Sequence, residues 1–399
     1  MVTSLEPSAA MSATVQPTAI RVERHDTVVI GAGQAGLAAG YHLSQRGADF
    51  VILEAAARLG DTWRKRWDSL HVLTSAAFTG LPGLPFPTAD SHLPRKDELA
   101  DYLEGYAAHF ALPVRLNTRV ESLRRECDRY LIDAGEVTYI ARHVIVATGP
   151  FQVPRIPAFA RELHADIQQL HSSAYRNPSD LPPGNVLVVG MGNAGVRIAL
   201  EVSKHRPVTL AGPRTRHLWR TLLGRDIHWW LWPVVRRLTT ATRLGRLLRR
   251  RLAHDPLVGV SEGDLVAAHV ERRGRVSAVR NGRPVADGES LDVRTIIWCT
   301  GFAPDFSWIR IPLPMEGGAP RTDRGVVPGV PGLSFVGLPF QHTLASALIA
   351  GVGEDAGYVV GRIKAPRAVR AGVVAQSEAD PDVACGGGER VLGVSVGVG

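Results

Sequence analysis

Short apolar runs rich in β-branched residues recur along the chain, separated by stretches with a different period. Thr27–Ile30 is the first, and GLAAGYHLSQRG, starting at Gly36, follows it with apolar positions at helical spacing. A second run, ADFVILEAA, then reaches an acid at Glu54. The same order returns later: VLVVG ending at Gly190, VRIALEVSKH as a helix, and PVTLAGPR as the next strand. Strand, helix and strand repeated in this way predict an α/β protein with two Rossmann-like units. Two more runs, RHVIVATGP (142–150) and RTIIWCTGF (294–302), flank the second unit and both end in a Thr-Gly turn. They read as the points where the chain leaves one domain and returns to it, although each alone would pass for an ordinary buried strand. The expected organisation is a first domain of residues 25–155 plus 300–364, with a second domain, 156–299, inserted. Near the end, PGLSFVGLP predicts a strand closing at Gly337, and SALIAGVGEDAGYVVGRI predicts a helix. That helix either points its N-terminus at a cofactor or only packs the domain shut.

Each repeat carries glycines at the spacing G-x-G-x-x-G, in Gly31, Gly33 and Gly36 and again in Gly190, Gly192 and Gly195. The first glycine permits the tight turn and the second lets backbone approach a pyrophosphate. The third lets helix and strand pack closely, while the helix N-terminus supplies free N–H groups. Gly31, Gly33, Gln34, Ala35 and Gly36 form one candidate cradle. Glu54 stands about 20 residues beyond the motif, where an acid binds a ribose hydroxyl. Gly190, Gly192, Asn193, Ala194 and Gly195 form the other. There the acid is absent; Gly212 takes its place and Arg214 and Arg216 follow. Arginine without the acid suits a ribose carrying a 2′-phosphate, although these arginines also open a basic segment. The two cradles therefore read as sites for FAD and NADPH, with hydride passing from nicotinamide to flavin. The turns Thr148-Gly149 and Thr300-Gly301 are counted with the cofactor-binding residues.

The formal charge of +8 changes the picture only locally. Residues 214–251 hold eleven arginines and one acid, Asp226, so removing that segment's +10 leaves −2. Four of the eight tryptophans lie there too. Arginine and apolar residues alternate at roughly helical spacing, broken at Pro233. Three readings follow in order: a helical hairpin that buries tryptophan and solvates arginine, peripheral contact with a membrane, and a nucleic-acid face. Nucleic acid is not expected as a partner. If the hairpin roofs a substrate channel, Trp229, Trp230 and Trp232 would favour an apolar or aromatic substrate. Residues 1–24 read as a disordered arm and 365–399 as a flexible tail. No apolar run reaches the length of a membrane span, and the N-terminal stretch lacks the pattern of a secretory signal. The cysteines Cys127, Cys299 and Cys385 are far apart in sequence and odd in number, and suggest neither a disulfide framework nor a metal cluster nor a close redox pair. A cytoplasmic location fits.

Several motifs occur in one order: GAGQAG, LGDTWRKRWDSLHVL, LPGLPFP, DELADYLEGYAAHF, ATGPFQVPRIP, LHSSAYRNP, GMGNAG and CTGFAPD. This order resembles the class B flavin monooxygenases, and within them the short bacterial flavoproteins similar to plant YUCCA-type enzymes, some labelled as potassium-transport flavoproteins. The resemblance covers residues 25 to about 364. It implies tightly bound FAD, NADPH as hydride donor, oxygen as acceptor, a C4a-(hydro)peroxyflavin and a small organic substrate. It also implies that Asp61, Thr62 and Trp63 form a turn beside the flavin, and that His171, Ser172 and Tyr175 match a linker motif. The chain departs from the family at Ala165 and Ile167, which stand where an aromatic and a glycine precede the linker histidine. It departs again at Thr74-Ser75, where a Thr-Asn pair is usual. No catalytic acid or base stands out; Thr74, Ser75 and His171 are the candidates. An NADPH oxidase and a membrane-associated redox sensor remain alternatives.

Overall fold

Alternation within each apolar run decides which side of its sheet is covered. In a computed structural model, which describes residues 21–240, 242–243, 245 and 256–363, two sheets carry the chain. The first has the order Val114–Arg115, Phe50–Leu53, Arg21–Ile30, Val137–Val146, Arg129–Ala134 and Ser122–Glu126, with Leu333–Phe335 pairing beside Val137–Val146. Its central pairs are parallel: Thr27 lies opposite Phe50 and His143, and Val144 opposite Leu333. Val29, Ile52 and Ile145 point to one face, where the helices Gln34–Ser44, Lys96–His109 and Ile349–Arg362 cover them. Val28, Ile30, Val51, Leu53, Val144 and Val146 point to the other, against Tyr130, Ile132 and Phe335. Both faces are dry, which is why these runs read as continuous apolar stretches.

The second sheet is parallel throughout, in the order Glu271–Arg273, Val208–Ala211, Val186–Val189, Thr295–Trp298 and Gln168–His171. Val186, Val188 and Leu210 meet the helix Asn193–Val202 through Val196, Ala199 and Val202. Leu187, Val189 and Trp298 pack on the opposite side with Val276 and Ala286. The chain is thus an α/β protein with two Rossmann-like domains, the fold class that the repeated pattern predicts.

Three sequence expectations need correction or relocation. The first strand begins at Arg21, inside the stretch read as an arm, because its first residues extend the sheet: Arg21 lies opposite Val137 and His25 opposite Ala141. The remaining arm residues 1–20, the tail 364–399 and Arg246–Arg251 lie outside the described residues. The expected helical hairpin of the basic segment falls partly outside the described residues. Where it is described, the segment opens with short strands, His217–Leu218, Thr221–Leu222 and Arg225–Asp226, before the helix Ile227–Arg237. Pro233 lies inside that helix instead of breaking it. It is exposed, so water can satisfy the carbonyl its missing N–H leaves unpaired.

In both repeats the third glycine sits against the first. A Cβ on Gly36 would lie 1.8 Å from the Gly31 carbonyl oxygen, and one on Gly195 would lie 1.9 Å from that of Gly190. Backbone oxygen cannot swing aside as a long side chain can. Gly36→Ala and Gly195→Ala are therefore expected to destabilise the fold by about 2 kcal/mol or more, read as a lowered thermal or urea midpoint.

Candidate functional site

Each cradle follows from what surrounds its three glycines. Gly31 (φ +100°) would place a Cβ 2.8 Å from the Ala147 carbonyl, and Gly190 (φ +126°) would place one 2.2 Å from that of Cys299. The first and third glycines of both motifs are thus closed off by backbone. The second glycines differ: around Gly33 and Gly192 a Cβ would meet nothing within 4 Å. Both precede a helix start, Gln34 and Asn193, where N–H groups have no partner within the helix. Open space before free helical N–H groups suits a pyrophosphate, so the residues present fit a dinucleotide at each cradle.

The flanking residues are positioned by the same two turns. Glu54 ends its strand with one carboxylate oxygen accepting from Ala32 N–H (2.7 Å) and the other from Ala56 N–H (2.9 Å). It braces the first glycine loop directly. In the second cradle, Asn193 holds the strand Leu257–Val258: its amide donates to the Pro256 carbonyl (2.9 Å) and accepts from Val258 N–H (3.0 Å). Arg214 and Arg216 are exposed beyond the strand Val208–Ala211, and Arg214 faces Glu262 at 3.7 Å.

The two Thr-Gly turns come together. Beyond them Val153–Pro154 pairs antiparallel with Phe302–Ala303, so the outgoing and returning strands are hydrogen-bonded to each other. Gln152 ties the turns: its amide donates to Thr148 Oγ1 (2.8 Å) and the Gly149 carbonyl (2.7 Å), and its oxygen accepts from Asp305 N–H (2.6 Å). Thr300 Oγ1 donates to the Arg155 carbonyl. His171 is buried beside this joint. Its Nε2 donates to the Gly301 carbonyl (3.0 Å), so Nδ1 is the acceptor, receiving Ser173 N–H at 3.2 Å and lying 2.9 Å from Ser173 Oγ. Burial, first, and nearby Arg66 push its pKa below the ordinary histidine value, against the raising effect of the Gly301 bond. Both ring nitrogens of His171 are thus engaged at the joint. Tyr175 is buried and donates to Glu201 at 3.0 Å, and Ser172 is buried in the same turn.

The segment after Gly60 crosses between the cores. Asp61 and Thr62 open the short helix Asp61–Arg64, with Asp61 paired to Lys65 at 3.0 Å. Trp63 packs against the helical core of the first domain and against the core of the second. Trp67 and Leu70 belong to the second core outright. Sequence reasoning missed Arg66. Its guanidinium lies 5.1 Å from the Phe302 ring centroid and donates to the Thr62 carbonyl (3.2 Å). Burial, and then Arg176, pull its pKa below the ordinary value. The only signal was its place in TWRKRW, where it looks like one more surface cation.

Thr74 and Ser75 are buried. Thr74 Oγ1 is 3.0 Å from Thr79 Oγ1, and Thr79 Oγ1 donates to the Ser75 carbonyl at 2.8 Å. Ser75 N–H donates to Asp226 of the basic segment at 3.2 Å. Around this contact Arg220 donates to the Leu73 carbonyl (3.3 Å), and the Phe78 ring lies 5.3 Å from Trp232 and 6.0 Å from His228. The three tryptophans of the expected roof are therefore split. Trp232 turns inward onto Phe78, whereas Trp229 and Trp230 are exposed outside.

Cys299 is a free thiol packed between the strand end and the second cradle, and burial pushes its pKa up to about 12. It stays protonated and serves packing. Among the described residues no cluster of acids, histidines or cysteines could hold a metal ion, and no helix is long and apolar enough to cross a membrane.

The chain is similar to known oxidoreductases over most of its length. It is 40% identical over 348 residues to a protein of Geobacillus kaustophilus named an uncharacterized CzcO-like oxidoreductase, spanning 85% of this chain and 98% of that one. It is 36% identical over 193 residues to the rice indole-3-pyruvate monooxygenase YUCCA1, spanning 46% and 47%. A flavin monooxygenase mutant from Stenotrophomonas maltophilia superposes with a TM-score of 0.70 at 29% identity, covering 86% of this chain and 98% of that one. The class B likeness, the oxidoreductase class and the FAD and NADPH cofactors expected from sequence agree with these findings. The family model described as pyridine nucleotide-disulphide oxidoreductase matches residues 28–320, and the chain belongs to that family.

Proposed function

We propose that the protein is an NADPH-dependent flavin monooxygenase acting on a small apolar or aromatic organic substrate. One observation carries the reading: two glycine cradles, each open only at its second glycine, are held in one body by hydrogen-bonded crossing strands. Gly31, Gly33, Gln34, Ala35, Gly36 and Glu54 would hold FAD, with Asp61–Trp63 and Thr148-Gly149 beside it. Gly190, Gly192, Asn193, Ala194 and Gly195 would hold NADPH, with Arg214 and Arg216 at the 2′-phosphate. The bound flavin supplies hydride acceptance and oxygen activation. Overall, NADPH and a proton provide two electrons; one oxygen atom of O₂ enters the substrate and the other leaves as water.

The polypeptide's part is positional. Gln152 and the paired crossings fix the distance between cradles, which a hydride transfer needs to be short. Trp232, Phe78 and the 73–75 backbone close one side of the cleft against water. Buried, protonated Cys299 argues against dithiol chemistry at the second cradle.

The cradles make separable predictions. Gly33→Val leaves the backbone unstrained, since Gly33 has φ −72°; the variant should fold with unchanged circular dichroism yet purify without the yellow flavin spectrum. Gly192→Val, at φ −81°, should remain yellow but fail to be bleached by NADPH under nitrogen. Arg214→Glu is expected to raise the KM for NADPH about tenfold while leaving that for NADH near its starting value. The activity itself is tested by NADPH oxidation in air with ¹⁸O₂ over a screen of apolar and aromatic amines, sulfides, ketones and 2-oxo acids. A product heavier by one labelled oxygen, or a 2-oxo acid converted with loss of carbon dioxide, supports the reading. Peroxide equal to the NADPH consumed, with no oxygenated product, would make the protein an oxidase. A flavin that NADPH never bleaches would make it a sensor.

A further inference from the structure

The basic segment presents an apolar face that neither domain uses. At its hairpin, Thr221–Leu222 pairs with Arg225–Asp226, and Leu223 and Gly224 form the tip with φ +50° and +76°. Two left-handed residues in succession make the turn in which Asn-Gly is the usual choice. Here a leucine takes the strained first place, and it is 81% exposed. Its side chain contributes little to the core. The helix Ile227–Arg237 is apolar on both sides: Ile227, Leu231, Trp232 and Val235 face inward, while Trp229, Trp230 and Val234 are exposed. Two contacts brace the hairpin against the helix. Trp230 Nε1 donates to the Leu222 carbonyl (3.1 Å), and the Arg225 guanidinium lies 4.3 Å from the Trp229 ring.

The segment's own exposed charge is basic. Arg214, Arg216, Arg225, Arg236, Arg237 and Arg243 are exposed. Arg214 faces Glu262 and Arg236 pairs with Glu354. The segment's one acid, Asp226, is turned away, accepting from Ser75 N–H, His228 N–H and His228 Nδ1. We propose that Leu223, Trp229, Trp230 and Val234, together with the exposed arginines Arg225, Arg236 and Arg237 of the same hairpin and helix, dock on the surface of an anionic phospholipid bilayer. Tryptophan favours the headgroup boundary, an aliphatic tip enters the acyl edge, and arginine meets lipid phosphate. The described part of the segment holds seven arginines against one acid, so the field of an acidic surface favours turning this side of the molecule toward it. A symmetric contact with a second copy would press these arginines against their own image. A nucleic-acid strand would leave the tip leucine without a base to stack on. Docking needs no membrane-spanning helix.

The test uses the full-length flavin-loaded protein and co-sedimentation with phosphatidylglycerol vesicles, with phosphatidylcholine vesicles as control. The wild type should sediment with the anionic vesicles, and added salt should weaken it. The double variant Leu223→Asn, Trp229→Ser should bind about tenfold more weakly. Asparagine suits the left-handed turn, so the variant should keep its flavin spectrum, thermal midpoint and vesicle-free NADPH oxidation. A wild type left in the supernatant would overturn the proposal, as would a variant that sediments like its parent. Self-association or oligonucleotide binding through this face, in place of vesicle binding, would also overturn it.

Discussion

The tightest constraint in the molecule is the contact between the third and first glycines of each cradle. Helix and strand approach until no atom beyond hydrogen fits on Gly36 or Gly195. That closeness aims the helix start over the loop, and it leaves the second glycine as the one open position. The two roles are physically distinct. Closed glycines carry the fold, and the open one leaves space before the helix start. Because the same division occurs twice, on two sheets with different neighbours, it reflects a shared demand and not local packing chance.

Two cradles are useful together only if their separation is fixed. Neutral contacts fix it here. Val153–Pro154 pairs with Phe302–Ala303, Gln152 spans three backbone or hydroxyl partners, and uncharged His171 donates to Gly301. Such bonds are little weakened by salt, unlike surface ion pairs. Trp63 adds an apolar link between the domain cores, and the basic segment adds a polar one from Asp226 to Ser75. The segment also reaches the closing loop, where Thr240 N–H donates to the His342 carbonyl at 2.8 Å.

Both sheets and both cradles were legible in the sequence because their signals are local: a β-branched run, three glycines, then helical spacing. The repeated Thr-Gly ending was visible in the sequence, but the pairing beyond it was not, since no local pattern says that residues 153 and 303 meet. Glu54 was readable as an acid at the end of a strand; that its carboxylate receives Ala32 and Ala56 depends on loop geometry. Arg66 was hidden because its environment, Phe302 and Arg176, comes from distant parts of the chain. The basic segment misled most. Its period is mixed because the helix is apolar on two sides, and Pro233 breaks a helix only where the lost bond is buried. Here it faces water.

The Ser75–Asp226 contact connects the outer face of the protein to its cleft. Burial alone would raise the pKa of Asp226, yet donors from His228 and the Ser75 backbone hold it below the ordinary aspartate value. Its carboxylate form is thus favoured in the folded state, and the stabilisation it supplies is present above the unfolded aspartate range and lost only as pH falls through the lower folded value. At neutral pH the hairpin therefore stays fastened to the 73–78 loop, with Trp232 seated on Phe78. A load on Leu223 or Trp229 from outside would reach that loop through a two-residue strand and a charged hydrogen bond, without passing through either glycine cradle. The hairpin is thereby joined to the 73–78 loop and separated from both glycine cradles.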